Sequence, residues 1–342
     1  MCAASGRSSR KRRSPARRLR IGIVSPARIG STLGNSVTAE RYAQIFRTLG
    51  LRAEVVNAFK NQDFDILVAL HAHKSGPSAL AFRRRFPKRP LIVVLTGTDL
   101  YRDIHSSRLA QRALRSASAL VVLQHSGISE LPRDVRAKTH SITQSASAAR
   151  VRRRAKPGFD VCVIGHLRWE KDPLRTAYAL RRLRGDYPIR VTHVGKALTS
   201  RFALLARREQ SHNPRYRWVG ERNRAATRKL LASSDLMVIS SRLEGGANTV
   251  CEAIAAGVPI IASRIPGNEG LLGRNYPGYY RLGDTHSLTL VLERAITDRR
   301  YYLALKRGCA RLKGSVSLAR ERNAWQRVIA SLRSGPLNEP LK

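Results

Sequence analysis

Residues 236–262 read LMVISSRLEGGANTVCEAIAAGVPIIA. An apolar run over 236–239 ends at Ser240 and Ser241, and a loop places Glu244 before Gly245 and Gly246. A helix begins near Ala247 or Asn248 and carries Glu252. Gly257 ends it, Pro259 blocks its continuation, and residues 260–262 open the next strand. On one continuous helix Glu244 and Glu252 stand about 12 Å apart along the axis and about 80° apart in rotation. With Glu244 on a glycine loop, the pair instead flanks the helix N-terminus. That terminus has unpaired N–H groups and the positive end of the dipole, so it attracts phosphate. Backbone donors for an anion, with carboxylates beside them for hydroxyls, suit a nucleotide-sugar diphosphate.

The rest of the chain supports two domains of ordinary size in its 342 residues, and a 42% hydrophobic content supports a packed core. The charge is extreme: 64 Lys and Arg against 23 Asp and Glu, formally +41. Eight of those bases fall in the first twenty residues, which hold no acid, so most of the excess lies elsewhere. Such a surface attracts phosphates, nucleic acid and anionic lipid weakly and without selection, and a solvated Arg-rich surface accounts for it equally well. No zinc-finger, K-homology or RNA-recognition signature accompanies the charge. The four cysteines show neither pairing nor metal spacing, and Cys162 and Cys251 read as small core residues. No apolar run reaches the roughly 18 residues needed to span a membrane, and the basic N-terminus lacks the apolar segment of a secretory signal. A cytoplasmic location is the expectation.

Taken in order, residues 1–18 read as a disordered basic tail. A strand over 19–24 leads into the loop Gly30-Ser31-Thr32-Leu33-Gly34-Asn35, a helix ending at Gly50 and a strand over 53–56. Strands over 66–70, 91–95 and 120–123 follow, with helices over 77–85 and 109–115 between them. Polar residues recur just past the strand ends: Ser31 and Thr32, His71 and Lys74, Thr96, Thr98, Asp99 and Arg102, and Gln124. In an open parallel sheet those ends line one crevice. His71 and His73 lack a carboxylate or thiol at ligand spacing, so metal binding is not expected of them. Residues 146–158 read as a small, basic linker. A second alternation then runs through strands at 160–164, 190–194, 216–219, 236–239, 260–262 and 279–282. The stretch 263–270, with Asn268 and Glu269, reads as a loop, and an amphipathic helix covers 318–332. The architecture expected is α/β: two Rossmann-like domains in series, 19–145 and 159–313, closed by a C-terminal helix at 314–334.

With these residues in view, the second half resembles the large E-x7-E group of GT-B glycosyltransferases. Glu244 and Glu252 take the two motif positions, residues 163–172 resemble the group's G-R-L-x-x-x-K-G element, and 257–263 its following strand. The family Arg of that element is His166 here, with Arg168 two residues on. The resemblance implies two domains facing each other across a cleft, donor on the C-terminal one and acceptor on the N-terminal one. It implies that Lys171 and Arg168 hold the diphosphate, that Glu252 accepts from ribose hydroxyls, and that Glu244 and the N–H groups of Gly246, Ala247 and Asn248 address the sugar.

Less common strings point further. GNSVTAERYA, LVALHAHKS, VVLTGTDLYRD, NPRYRWVGE, EGGANTVCEA, SRIPGNEGLLG and YPGYYRLGDT together resemble the selenosugar synthases of selenoneine biosynthesis, the SenB family. That resemblance covers nearly all of the chain except its tails. It implies transfer of a sugar from UDP-GlcNAc or UDP-glucose to selenophosphate, yielding a selenosugar, UDP and phosphate. Glu244, His71 and Asp99 become the candidates for catalysis. Ser31, Thr32, Gly34, Asn35, Lys74, Thr98 and Arg102 become those for the acceptor phosphate. No D-x-D-type pair is placed to hold a cation, so neither metal nor cofactor is expected. Two other functions compete: an ordinary E-x7-E glycosyltransferase acting on a polysaccharide, lipid or small-molecule hydroxyl, which fits the broad motifs, and a non-enzymatic polyanion-binding protein on the same scaffold, which the charge supports and the intact donor-site residues oppose.

Overall fold

A computed structural model describes residues 17–149, 151 and 157–334. The tail expected at 1–18 lies outside these up to residue 16. So do residue 150 and residues 152–156 of the expected linker, and everything past 334.

The N-terminal half runs β1 (Arg20–Val24), α1 (Gly34–Thr48), β2 (Arg52–Val56), β3 (Ile66–Leu70), α2 (Gly76–Arg85), β4 (Leu91–Leu95), α3 (Ile104–Ser106), α4 (Arg108–Ser116), β5 (Ala119–Val122), α5 (Arg133–Arg136) and β6 (Thr139–Ser141). All six strands are parallel, in the order β2-β1-β3-β4-β5-β6. The strands ILVAL (β3) and LIVVL (β4) are buried at every residue, as a parallel sheet covered on both faces requires.

The C-terminal half runs β7 (Phe159–Ile164), α6 (Arg175–Leu180), β8 (Ile189–Val194), α7 (Ser200–His212), β9 (Tyr216–Trp218), α8 (Arg224–Ser233), β10 (Leu236–Ile239), α9 (Asn248–Ala256), β11 (Ile260–Ser263), α10 (Pro266–Leu272), β12 (Tyr279–Tyr280), α11 (Thr285–Thr297) and α12 (Arg299–Arg311). Its parallel sheet has the order β12-β11-β10-β7-β8-β9, the doubly wound order of dinucleotide-binding domains. In each sheet the order reverses at one place: between β1 and β3, and between β7 and β10. The loops after those four strands carry the glycine loop, His71, the Arg168–Lys171 pair and Glu244. Ligands of doubly wound sheets bind at such reversals.

The last helix, α13 (Leu318–Ser334), returns to the first domain. Trp325 is fully buried there, its ring 4.7 Å from Tyr42 and 5.1 Å from Phe46, both edge-on. Val328 and Ile329 share the same core with Ile21 and Ile23 of β1. Cys162, Cys251 and Cys309 are free and buried, and burial pushes the first two thiols up to about 12. Among the described residues no helix is long and apolar enough to cross a membrane.

Two segments differ most from the sequence reading. Residues 139–141 form β6, too short and polar to show a pattern, and it is held by pairing with β5. The expected loop around Asn268 and Glu269 is α10. Pro266 in its first turn needs no N–H partner, Glu269 faces the positive end of the helix, and Gly273 ends it at φ 84°. The short helix hid between punctuating residues, Pro266-Gly267 and Gly273.

If α13 is held mainly by its indole, Trp325→Ala costs about 3–5 kcal/mol of stability, the usual range for a large aromatic deleted from a core. Urea unfolding measures this; a loss of only a few tenths of a kcal/mol would show that α13 contributes little to the first core.

Candidate active site between the two sheets

The two sheets approach through glycine. A Cβ placed on Gly245 would stand 2.5 Å from the amide nitrogen of Gly97, and one on Gly246 would collide with Leu123. The loop after β10 therefore lies against the loop after β4. On the other side of α10, Gly270 leaves room for the Gln124 amide of the first domain.

On the C-terminal side, the loop after β7 brings Lys171 onto Glu244: Lys171 Nζ contacts Glu244 Oε1, and Ser241 Oγ donates to the same oxygen at 2.5 Å. Both charged side chains are largely enclosed, 22% and 8% exposed, so the contact lies in a medium where charge pairing is stronger than in water. Asp172, next to Lys171, takes a left-handed φ of 42°, and its carboxylate pairs with Arg175 at 2.9 Å and Arg242 at 3.6 Å. Arg168 is 40% exposed and stands 3.8 Å from Glu170. The helix α9 starts after Ala247, which offers no side chain to cap it, so the first-turn N–H groups carry no side-chain acceptor. The side chain of Asn248 turns away from that turn and accepts from Arg41. Glu252 lies one turn further along α9, held by Arg228 at 3.4 Å and Arg224 at 3.9 Å of α8.

On the N-terminal side, α1 is likewise uncapped: Leu33 precedes it with no side-chain hydrogen bond. Gly30 takes φ 78° and donates to Glu40, Ser31 Oγ is enclosed without a partner among the described residues, and Asn35 is half-buried beyond Gly34. Thr32 Oγ1 reaches across to Glu221 of the second domain. His71 occupies φ 74°, a conformation uncommon outside glycine. Its Nδ1 accepts from the Lys74 N–H at 3.3 Å, which leaves Nε2 to donate to Thr98 Oγ1 at 2.9 Å. Burial lowers its pKa, against the opposing pull of Asp99 and Asp103, and keeps the ring neutral at neutral pH. The Lys74 side chain is exposed, and Arg102, 55% exposed, pairs with Asp103 at 2.9 Å.

Asp99 holds its own loop. Asp99 is fully buried, and its two oxygens accept from the N–H groups of Ala72, Thr96 and Gly97 at 2.9, 2.9 and 2.8 Å. It shapes the loop after β4 and ties it to the loop after β3. Its place three residues past Thr96 lets a short carboxylate reach back to two preceding N–H groups. Among the described residues no three or more His, Cys, Asp or Glu stand together as a metal would need.

Residues 147–306 match the family described as Glycosyl transferases group 1. That stretch of the C-terminal half is similar to a group 1 glycosyl transferase domain. Sucrose-phosphate synthase from Thermosynechococcus elongatus superposes with a TM-score of 0.78 at 14% identity, over 92% of this chain and 99% of that one. HepE from Anabaena, solved with UDP and glucose, gives 0.70 at 16% identity, over 92% and 100%. A glycosyltransferase from Rickettsia africae gives 0.68 at 12%, over 93% and 99%. At such identities the likeness is one of fold, and the fold is GT-B. No curated protein matches the sequence.

The matched stretch contains Arg168, Lys171, Glu244 and Glu252, but neither α13 nor any residue of the first domain. Several residues of the cleft went unread in the sequence: Glu221 facing Thr32, Ser241 under Glu244, and Arg224 and Arg228 holding Glu252. The last two carried a usable signal, since two arginines one helical turn apart in R224-A-A-T-R228 face a common neighbour.

Beneath the loop that carries Arg168 and Lys171 sits His193, whose Nε2 donates to the Gly165 carbonyl at 3.1 Å and whose Nδ1 accepts from Tyr216 at 2.9 Å. Burial depresses its pKa from the ordinary 6.5 to about 4. The unfolded chain binds this proton near pH 6.5 and the folded chain only near 4, so the stability is whole above pH 6.5 and is lost as pH falls through that window. The loss from this one group comes to about 3 kcal/mol at pH 4. Urea midpoints measured from pH 7 to 4 show it as a slope that His193→Gln flattens; an unchanged slope in that variant would assign the acid sensitivity to other groups.

Proposed function

We propose that the protein is a glycosyltransferase that moves a sugar from a UDP-sugar, UDP-GlcNAc or UDP-glucose, to selenophosphate. The observation that carries the donor half is the meeting of Lys171 and Glu244 beside the uncapped first turn of α9. A diphosphate laid on that turn gains the N–H groups of Gly246, Ala247 and Asn248, with Lys171 and Arg168 as countercharge. Glu252, oriented by its two arginines, addresses the ribose, and Glu244 the sugar. HepE, solved with UDP, glucose and UDP-glucose, and the group 1 domain support a UDP-sugar as donor. The acceptor half rests on the resemblance of the long strings to selenosugar synthases.

The chemistry suits this division. Selenium in selenophosphate is already an anionic, soft nucleophile, so its activation needs no strong base. A neutral His71, donating through Nε2, serves orientation. Selenium bonds to the anomeric carbon as the bond to the diphosphate oxygen breaks, and the electron pair leaves with UDP. Water then cleaves phosphorus from selenium, giving the selenosugar and phosphate. The harder task is to bring two anions together. N–H groups and cations fixed around the cleft offset that repulsion and stabilise the departing UDP. Ser31, Thr32, Asn35, Lys74 and Arg102 are placed on the acceptor side of this reading, and no metal is required.

Purified protein incubated anaerobically with UDP-GlcNAc and selenophosphate is expected to release UDP and form a selenium-containing sugar detectable by mass spectrometry. UDP release no faster than hydrolysis would sink the selenophosphate reading; product from a hydroxyl acceptor in the same panel would replace it. Glu252→Ala is expected to weaken UDP-sugar binding in titration calorimetry, and unchanged affinity removes Glu252 from the donor site.

A further inference from the structure

Against the first turn of α9 lies a buried polar cluster whose side-chain contacts the proposed chemistry does not use. Its centre is Arg41 of α1, 8% exposed. Its Nε stands 3.3 Å from Glu321 Oε1 on α13, and its Nη1 donates to Asn248 Oδ1 at 3.0 Å. With the Gln144 amide turned so that its oxygen meets donors and its nitrogen meets acceptors, Arg41 Nη2 donates to that oxygen at 2.8 Å, which also accepts from Thr38 Oγ1 at 3.0 Å. The amide nitrogen of Gln144 then donates to Asn248 Oδ1 at 2.6 Å and to the Gly246 carbonyl at 3.2 Å; this orientation satisfies both ends of the amide. Glu321, 1% exposed, completes the set by accepting from the Ser145 N–H at 2.7 Å. Four separate stretches of chain meet here: α1, residues 144–145, the first turn of α9, and α13.

The cluster answers a question posed by α9 itself. A helix start is ordinarily fixed by a side chain at the cap position that accepts from the first N–H groups. Ala247 supplies none, and a cap there would occupy the very donors an anion needs. Asn248, one residue inside the helix, is held instead through its side chain. Arg41 and Gln144 both donate to its oxygen, and Gln144 also holds the carbonyl of Gly246. The turn is thus fixed while its N–H groups stay open to the cleft. Because Arg41 is shared with Glu321, the tether reaches α13, and the last helix of the chain bears on the donor site.

We propose that Arg41 and Gln144 are positioning residues that act through the side chain of Asn248 to hold the phosphate-binding turn of α9, with Glu321 making the docked C-terminal helix part of that hold. This rests on the reading of α9 as the diphosphate site. Arg41→Lys keeps a cation for Glu321 but loses the planar fork that serves Asn248 and Gln144. Asn248→Ala removes the shared acceptor and leaves the Arg41–Glu321 pair intact.

The test is a double-mutant cycle on UDP affinity, by calorimetry, with unfolding midpoints measured alongside. Each single variant is expected to bind UDP about tenfold more weakly, the loss of a hydrogen bond to a charged or strongly polarised partner. The double variant is expected to bind no more weakly than the weaker single one, because both act through the same contact. Wild-type UDP affinity in Asn248→Ala overturns the proposal, and it does so even if Arg41→Lys fails to fold. Losses that multiply in the double variant also overturn it, since they mean that the two residues act independently. If the unaltered protein binds no UDP, the donor-site reading falls and takes this inference with it, an outcome distinct from UDP binding that is indifferent to the substitutions.

Discussion

Gly245 has no room for a side chain, and that one constraint sets the distance between the two halves of the molecule. Any Cβ there would press on the backbone of Thr96 and Gly97, and one on Gly246 would strike Leu123. Backbone can approach backbone this closely only where both sides lack bulk. The approach brings the carboxyl ends of two parallel sheets into contact, and with them the loops at both topological reversals. The first turn of α9 and the Lys171–Glu244 contact belong to one side of this approach, and the His71–Thr98 bond to the other.

The electrostatics of the cleft differ from what the net charge suggests. With +41 overall, a site lined by bare cations would be unsurprising. Yet Lys171 faces Glu244, Arg102 faces Asp103, and Arg224 and Arg228 face Glu252. The open donors are backbone N–H groups at the starts of α1 and α9, both without side-chain caps. In the proposed reaction an arriving diphosphate meets fixed dipoles first, and Lys171 must pass from Glu244 to the phosphate. Fixed N–H groups need little reorganisation when charge develops on the leaving group, whereas long side chains lose entropy on being ordered.

Much of this was legible in the strands. The runs at 66–70, 91–95 and 236–239 are short, apolar and β-branched, and the structure gives them those same bounds. Gly257, at φ 67°, ends α9 where a left-handed residue was expected. What stayed hidden were elements stabilised by partners rather than by pattern. Residues 139–141 are a strand because β5 has an open edge beside them, and 266–272 are a helix despite the Pro and Gly that punctuate them. What Asp99 holds stayed hidden for a related reason. A carboxylate just past a strand end looks the same in sequence whether it faces a substrate or folds back onto its own loop.

The sequence by itself determined two doubly wound α/β domains, a helix start without a side-chain cap, and the two glutamates spaced around it. Local spacing suffices for these, because each depends on residues within a turn or a strand of one another. Only the tertiary structure decided what the charged groups meet. Lys171 and Glu244 are 73 residues apart, Arg41 and Asn248 are 207 apart, and Arg41 and Glu321 are 280 apart. No periodicity links such positions. They meet because sheet order fixes which loops share a crevice, because glycine permits the two halves to touch, and because a buried tryptophan draws the last helix back onto the first domain.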